Sequence, residues 1–209
     1  MLEYIMTKLI VGLGNPEGKY FKTWHNLGFL AIDQLTNDLG TEFKKKGNLL
    51  HATYQSPTDT VHLIKPLTYM NLSGQAVLAT IRKFKIDPHN MIVLVDDLFI
   101  DKGNIRLVKG GSHAGHNGIR SINGLINNAI SPLNPNPTPP NYIKIKIGAK
   151  PEKPPHCTAN YVLERFKDAD IPYVQESINK TVEACKQLLT DERFELIQGK
   201  FNCRNITDT

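Results

Sequence analysis

Residues 9–26, LIVGLGNPEGKYFKTWHN, are the stretch on which the fold depends. The apolar run at residues 9–11 predicts a buried strand, and Gly12 and Gly14 then open a turn toward a predicted helix. A dinucleotide-binding turn begins in the same way. The stretch is therefore either a cradle for phosphates or the floor of a site that works through its side chains.

The dinucleotide alternative requires glycines at fixed offsets and an acidic residue at the end of the next strand. Here the third glycine, Gly18, is displaced, and Pro16 interrupts the turn. Asp33 falls inside a predicted helix rather than at a strand end. These departures disfavour nucleotide binding and make the side chains of the segment the better candidates.

Predicted strands and helices alternate along most of the chain. Strands are predicted at 9–13, 49–55, 61–65, 91–97, 103–108 and 141–149, and helices at 28–39, 71–86, 116–130, 171–189 and from 191. Strand–helix alternation predicts an α/β fold with a twisted, mixed and mainly parallel central sheet flanked by helices. We expect one domain over residues 1–209, with the C-terminal helices of 171–209 near the cleft.

Composition narrows the class of protein. Hydrophobic residues make up 40% of the 209 residues, and no apolar run approaches the roughly 18 residues that a membrane span needs. The three cysteines have no C-x-x-C spacing, which favours free thiols in a reducing cytoplasm. The segment SPLNPNPTPPN, residues 131–141, carries five prolines and predicts a loop. Residues 1–5 are extra N-terminal residues before Met6.

The net charge of +5 favours a polyanionic partner such as a nucleic acid. The run Lys44–Lys46 is one basic cluster, and a solvated charged face is the equally good alternative for it. The strand at 141–149 alternates polar and apolar residues, so we expect it to be half exposed with Lys144 and Lys146 on one face.

Polar side chains follow four of the predicted strands. In open α/β sheets, ligands bind beyond the carboxyl ends of the strands, so we expect one cleft there. The polar residues that follow these strand ends are Asn15, Tyr20 and His25; Tyr69, Met70 and Asn71; Asp96 and Asp97; and His113, His116 and Asn117.

Two kinds of chemistry fit this set. His113 and His116 with Asp96 or Asp97 could bind a metal, although two histidines three residues apart are common by chance. Alternatively, a histidine can take a proton from water while a carboxylate fixes its tautomer, and His25 with Asp96 meets that requirement. Asn15, Asn71 and Asn117 would then orient a carbonyl or an oxyanion.

The segments LIVGLGNPEGKYFKTWHNLGF, KPLTYMNLSGQAV, LVDDLFIDKGNIRLVKGGSHAGHNGIRSI and YVLERF resemble the bacterial-type peptidyl-tRNA hydrolases. The resemblance runs in order from Lys8 to about Phe166. It implies a monomeric, cytoplasmic enzyme that hydrolyses the ester between peptide and tRNA without a metal or an organic cofactor. It implies no DNA or membrane partner.

The resemblance also assigns roles to residues. His25 matches the catalytic base, Asp96 the carboxylate that holds it, and Asn15 the residue that places the ester and recognises a blocked amino group. The matching substrate or tRNA positions are Tyr20, Tyr69, Met70, Asn71, His116 and Asn117. Charge and location alone suggest phosphate contacts at Lys109, Lys144, Lys146, Arg106 and Arg120.

Four positions depart from the family pattern. Phe99 stands where the family usually has an acidic residue, and Ser121 stands where an Asp is common. Lys144 and Lys146 match the family's R-x-R-x-G-I-G strand only with a one-residue gap, and lysine lacks the bidentate grip of arginine. The rival functions are a non-catalytic RNA-binding protein and a nucleotide-dependent enzyme.

Overall fold

The computed structural model describes residues 6–56, 58–130, 140–190 and 193–202. Seven strands form one sheet: β1 Met6–Gly12, β2 Lys44–Lys46, β3 Leu49–Gln55, β4 Asp59–Pro66, β5 Met91–Asp97, β6 Ile105–Lys109 and β7 Ile143–Gly148. Six helices accompany them: α1 Leu27–Asp38, α2 Ser73–Phe84, α3 Asn117–Ile130, α4 Thr158–Tyr161, α5 Ile171–Leu188 and α6 Phe194–Asn202. The extra N-terminal residues 1–5 and residues 131–139 of the proline-rich segment lie outside the described residues.

The sheet is mixed, with a parallel centre. Its strand order is β2-β3-β4-β1-β5-β7-β6, and β4, β1, β5 and β7 run parallel to one another. The strands β2, β3 and β6 pair antiparallel. The α/β prediction of a mainly parallel central sheet flanked by helices is confirmed.

Both faces of the sheet are covered. Ile10 of β1 packs in the core layer that includes α1 and α5, whereas its neighbours Leu9 and Val11 pack in the layer that includes α2 and α3. Successive side chains of a strand point to opposite faces. A strand buried on both sides therefore reads as a continuous apolar run, as residues 9–11 do.

The glycines of the opening stretch permit close packing between β1 and α1. A Cβ atom on Gly12 would lie 2.5 Å from the carbonyl oxygen of Gly28, and one on Gly28 would lie 2.3 Å from the carbonyl oxygen of Leu94. Real Cβ contacts are never this short, so the backbones of helix and sheet meet directly. This contact explains Gly12 and Gly28 without a bound nucleotide.

The direction of β6 corrects the sequence-based argument for the cleft. Because β6 is antiparallel to β7, Lys109 lies opposite Ile143 at the start of β7, whereas Asp96 lies opposite Ile147 near its end. The carboxyl end of β6 is therefore at the other edge of the sheet. The seven residues 110–116 return the chain to Asp96, using positive φ angles at four positions: Gly110, Gly111, Ala114 and Gly115.

Two further findings concern lysines, and only the second differs from the prediction. The run Lys44–Lys46 forms the edge strand β2 with all three residues exposed. Lysines on an edge strand deter pairing with other chains. The strand β7 is not half exposed as predicted: it lies inside the sheet between β5 and β6, and Lys144 is only 2% exposed. None of the helices in the described ranges is long and apolar enough to cross a membrane.

Candidate active site

His25 is held in place by its backbone neighbours. It lies in a 3₁₀ turn, Trp24–Asn26, immediately before α1, and its backbone N–H donates to the carbonyl oxygen of Val162 at 2.8 Å. The next side chain, Asn26, accepts from the backbone N–H of Asn15 at 2.9 Å and donates to its carbonyl oxygen at 3.0 Å. These bonds join the turn to the loop after β1.

One carboxylate oxygen unites the two histidines of the site. Oδ1 of Asp96 lies 2.9 Å from His25 Nδ1 and 3.1 Å from His116 Nε2. The Nδ1 atom of His116 accepts from the backbone N–H of Gly118 at 3.1 Å, so His116 also caps the first turn of α3. Its tautomer is thereby fixed, with the proton on Nε2 facing Asp96.

The electrostatics favour an ionised Asp96. Burial alone would raise the pKa of Asp96, but attraction to His25 and His116 and their hydrogen bonds hold it well below its usual range. Burial alone would lower the pKa of His25, but the charge and hydrogen bond of Asp96 outweigh burial and raise it. Asp96 therefore accepts the Nδ1 proton of His25. Within the described residues, no hydrogen-bond partner is found for His25 Nε2.

Asn15 has a fixed amide orientation. Its side-chain oxygen accepts from the backbone N–H of Met70 at 3.0 Å, and the residue is 7% exposed. The amide nitrogen is consequently the end that remains to donate. In the part of the chain that the structure describes, no acceptor for that nitrogen is found.

The remaining candidate residues differ in how deeply they are buried. Met70 is buried, and a Cβ atom on Gly118 would lie 2.6 Å from its sulfur and 3.1 Å from Cε1 of His116. Asn117 is exposed at the start of α3, and its Oδ1 accepts from Arg120 at 3.1 Å.

Three candidates lie on the loops after β1 and β4. The hydroxyl of Tyr69 donates to the carboxylate of Glu17, which joins these two loops. Tyr20 is half-buried and Asn71 is exposed.

A cleft of about 310 Å³ opens beside the two histidines. The predicted site residues that line it are His25, Asp96, His116, Asn117 and Lys144, whereas Asn15, Tyr20, Tyr69, Met70, Asn71 and Lys109 do not. Residues that the sequence argument did not assign to the cleft also line it: Leu98, Phe99, Ala114, Thr158, Ala159 and Val162. The helices that contribute lining residues are α3 and α4, and no described residue from 171 onward is among them.

Two of the predicted phosphate contacts have other surroundings. The ammonium of Lys144 donates to the carbonyl oxygens of Gly111 and Ser112, both at 3.0 Å, beneath the loop 110–116. Burial, with a smaller effect of Lys146, lowers the pKa of Lys144 to about 8. Lys109 is exposed, and its Nζ lies 6.0 Å from the ring centroid of Phe194 in α6.

The residues that could bind a metal differ from those that the sequence suggested. His25, Asp96 and His116 place their ligand atoms within 4.8 Å of one another and are the group in the described ranges that could hold a metal ion. His113 is outside this group, and its Nδ1 accepts from the backbone N–H of Gly115 at 3.1 Å.

Comparison with known families decides the class of protein. The family model described as peptidyl-tRNA hydrolase matches residues 9–209. The chain belongs to the peptidyl-tRNA hydrolase family. A peptidyl-tRNA hydrolase of Lactococcus lactis subsp. cremoris is 36% identical over 200 residues, which cover 94% of this chain and 100% of that protein. One from Bacillus thuringiensis is 39% identical over 197 residues, covering 93% and 99%.

The fold agrees with the same family. The crystal structure of peptidyl-tRNA hydrolase from Acinetobacter baumannii superposes with a TM-score of 0.82 at 28% identity and covers 97% of each chain. Membership of the peptidyl-tRNA hydrolase family makes this chain a hydrolase enzyme.

Proposed function

We propose that this enzyme hydrolyses the ester between the peptide and the 3′ end of peptidyl-tRNA, with water activated by His25. The observation that carries the proposal is the bond between His25 Nδ1 and Asp96 Oδ1, because it leaves Nε2 of a cleft-lining histidine to act as the base. Recycling of tRNA from prematurely released chains is the biological consequence.

The reaction follows from the positions of these two groups. His25 Nε2 takes a proton from water as the water oxygen attacks the ester carbonyl carbon. Asp96 stabilises the imidazolium that forms, as the aspartate does in a catalytic triad. When the tetrahedral intermediate collapses, the ester C–O bond breaks and the imidazolium returns its proton to the leaving ribose oxygen. The products are a peptide with a free carboxylate and an intact tRNA.

Side-chain amides supply the polar recognition in this proposal. The Nδ2 atom of Asn15 can donate to a carbonyl oxygen of the substrate, because its Oδ1 is already bound to Met70. Asn71 and Asn117, together with Tyr20 and Tyr69, would contact the 3′ end of the tRNA around the cleft. Met70 and His116 would pack beneath the reacting ester.

Phosphate contacts would come from the exposed cations rather than from the buried Lys144. The net charge of +5 favours such contacts. The exposed candidates are Lys109, Arg106 and Arg120. Affinity for the RNA should then fall as salt rises, with a steep slope on logarithmic axes. We further propose a cytoplasmic monomer that needs neither a metal nor an organic cofactor and binds neither DNA nor membranes.

The test is release of labelled peptide from a model peptidyl-tRNA, with free aminoacyl-tRNA as the control substrate. The wild-type protein should release peptide and leave the free aminoacyl-tRNA intact. His25→Ala should abolish turnover while circular dichroism stays unchanged and RNA binding is retained. Turnover by His25→Ala at the wild-type rate would show that another group is the base. RNA binding without turnover by the wild-type protein would favour the non-catalytic alternative.

A further inference from the structure

Phe99 is a large apolar side chain left in solvent next to the catalytic residues. It is 79% exposed, the highest value among the exposed large apolar side chains of the described residues. It follows Asp96 by three positions and lines the same cleft as His25. Covering an aromatic side chain of this size is favourable, so a ligand that reaches it gains affinity.

The backbone on both sides of Phe99 is fixed. Its N–H donates to Oδ1 of Asp97 at 2.8 Å, while Oδ2 of Asp97 accepts from Lys146 Nζ at 2.7 Å. On the other side, Ile100 is buried, and its carbonyl oxygen accepts from the N–H of Lys150 at 3.0 Å. Exposure of Phe99 is therefore imposed by the turn and is not a consequence of a loose loop.

Apolar side chains form one part of the cleft wall that includes Phe99, and polar residues such as Ser112, Thr158 and Lys144 form another part. Side chains of Leu98, Ala114, Ala159 and Val162 line the cleft with Phe99. The charges of Asp97 and Lys146 neutralise each other in an ion pair at 2.7 Å. The apolar side chains of this wall suit an aliphatic or aromatic group of a ligand.

We propose that Phe99 and this wall bind the side chain of the peptide residue whose carbonyl forms the ester, and so give the enzyme a preference for apolar acyl residues. The inference rests on the proposed function. When the ester carbonyl lies beside His25, the side chain begins two bonds from the reacting carbon and must occupy the same cleft. An engineered cavity of about 150 Å³ holds benzene, so the cleft of about 310 Å³ has room for one side chain beside the ester.

The experiment keeps the RNA constant and changes the acyl residue. One tRNA is acylated in turn with N-acetyl-leucine, N-acetyl-aspartate and N-acetyl-lysine, and kcat/KM is measured for each. The wild-type enzyme should prefer leucine to aspartate about 10-fold, the lower end of what one apolar contact gives. Phe99→Ser should reduce the preference to about 3-fold or less, and Phe99→Asp should favour lysine over aspartate.

The matched control is Leu196→Ser, which removes another exposed apolar side chain, 60% exposed, on α6 and away from the cleft. It should leave all three values unchanged. If Phe99→Ser lowers the three values equally, Phe99 contacts the RNA and the inference is overturned. Unchanged ratios in both Phe99 variants overturn it as well. If the wild-type enzyme cleaves none of the three substrates, the proposed function fails and the inference fails with it.

Discussion

Asp96→Asn tests the electrostatic core of the site. The substitution removes the negative charge beside His25 and keeps the shape of the side chain. Neutral His25 is the active form of the base, so the acid limb of kcat/KM against pH reports its pKa. Because Asp96 raises the pKa of His25, that limb should lie above pH 6.5 in the wild-type enzyme and move below pH 6.5 in the variant.

The structure sets the size of the effect. Opposite charges 2.9 Å apart attract by about 6 kcal/mol at an effective dielectric constant of about 20. Burial of the ring opposes this attraction, so the net rise in the pKa of His25 is smaller. Without the charge only burial remains, so we expect the acid limb to move to lower pH in the variant.

The rate should fall even where His25 is neutral. An amide cannot stabilise the imidazolium and no longer fixes the proton on Nδ1. We therefore expect a loss of about 10²- to 10⁴-fold at pH 7.5.

The assay is hydrolysis of N-acetylated aminoacyl-tRNA from pH 5 to pH 9 at constant ionic strength, with NMR titration of the His25 ring in the free enzyme. Asp97→Asn is the matched control. Asp97 pairs with Lys146, and within the described residues no hydrogen bond joins it to His25. It should leave the acid limb in place. An Asp96→Asn enzyme with an unmoved limb or a near-normal rate would refute the reasoning.

Two further predictions concern packing and recognition. Gly28→Ala places a methyl group 2.3 Å from a backbone oxygen, so urea denaturation should show a loss of about 1–3 kcal/mol in unfolding free energy. The control, Gly124→Ala on the exposed face of α3, has no atom within 4 Å and should gain about 0.5–1 kcal/mol. Asn15→Asp keeps the acceptor for Met70 and removes the only donor of the side chain, so kcat should fall about 10²- to 10³-fold with stability little changed. Wild-type turnover by Asn15→Asp would exclude a donor role for this amide.

The fold was predictable where apolar patterns carry the information. The runs at residues 9–11 and 91–95 lie in central strands covered on both faces, and the helical period before Gly40 marks α1. The apolar pattern does not report the direction of a strand, because an antiparallel edge strand and a parallel one can show the same alternation of apolar and polar residues. The reversed direction of β6 therefore needed the structure.

In the candidate site, too, some features were predictable from the sequence and others were not. Residue type and order pointed to His25 and Asp96, and the structure places these residues within hydrogen-bond distance. The burial of Lys144 was not predictable, because it depends on a glycine-rich loop whose carbonyl groups turn inward onto the ammonium. The contribution of α4 was also missed, since four residues give too short a period to detect.

The direct backbone contact between Gly12 and Gly28 has a consequence for how the enzyme can vary. A larger residue at either position would have to push the start of α1 away from the sheet. The imidazole lies only three residues before Gly28, so such a change would also alter its distance from Asp96.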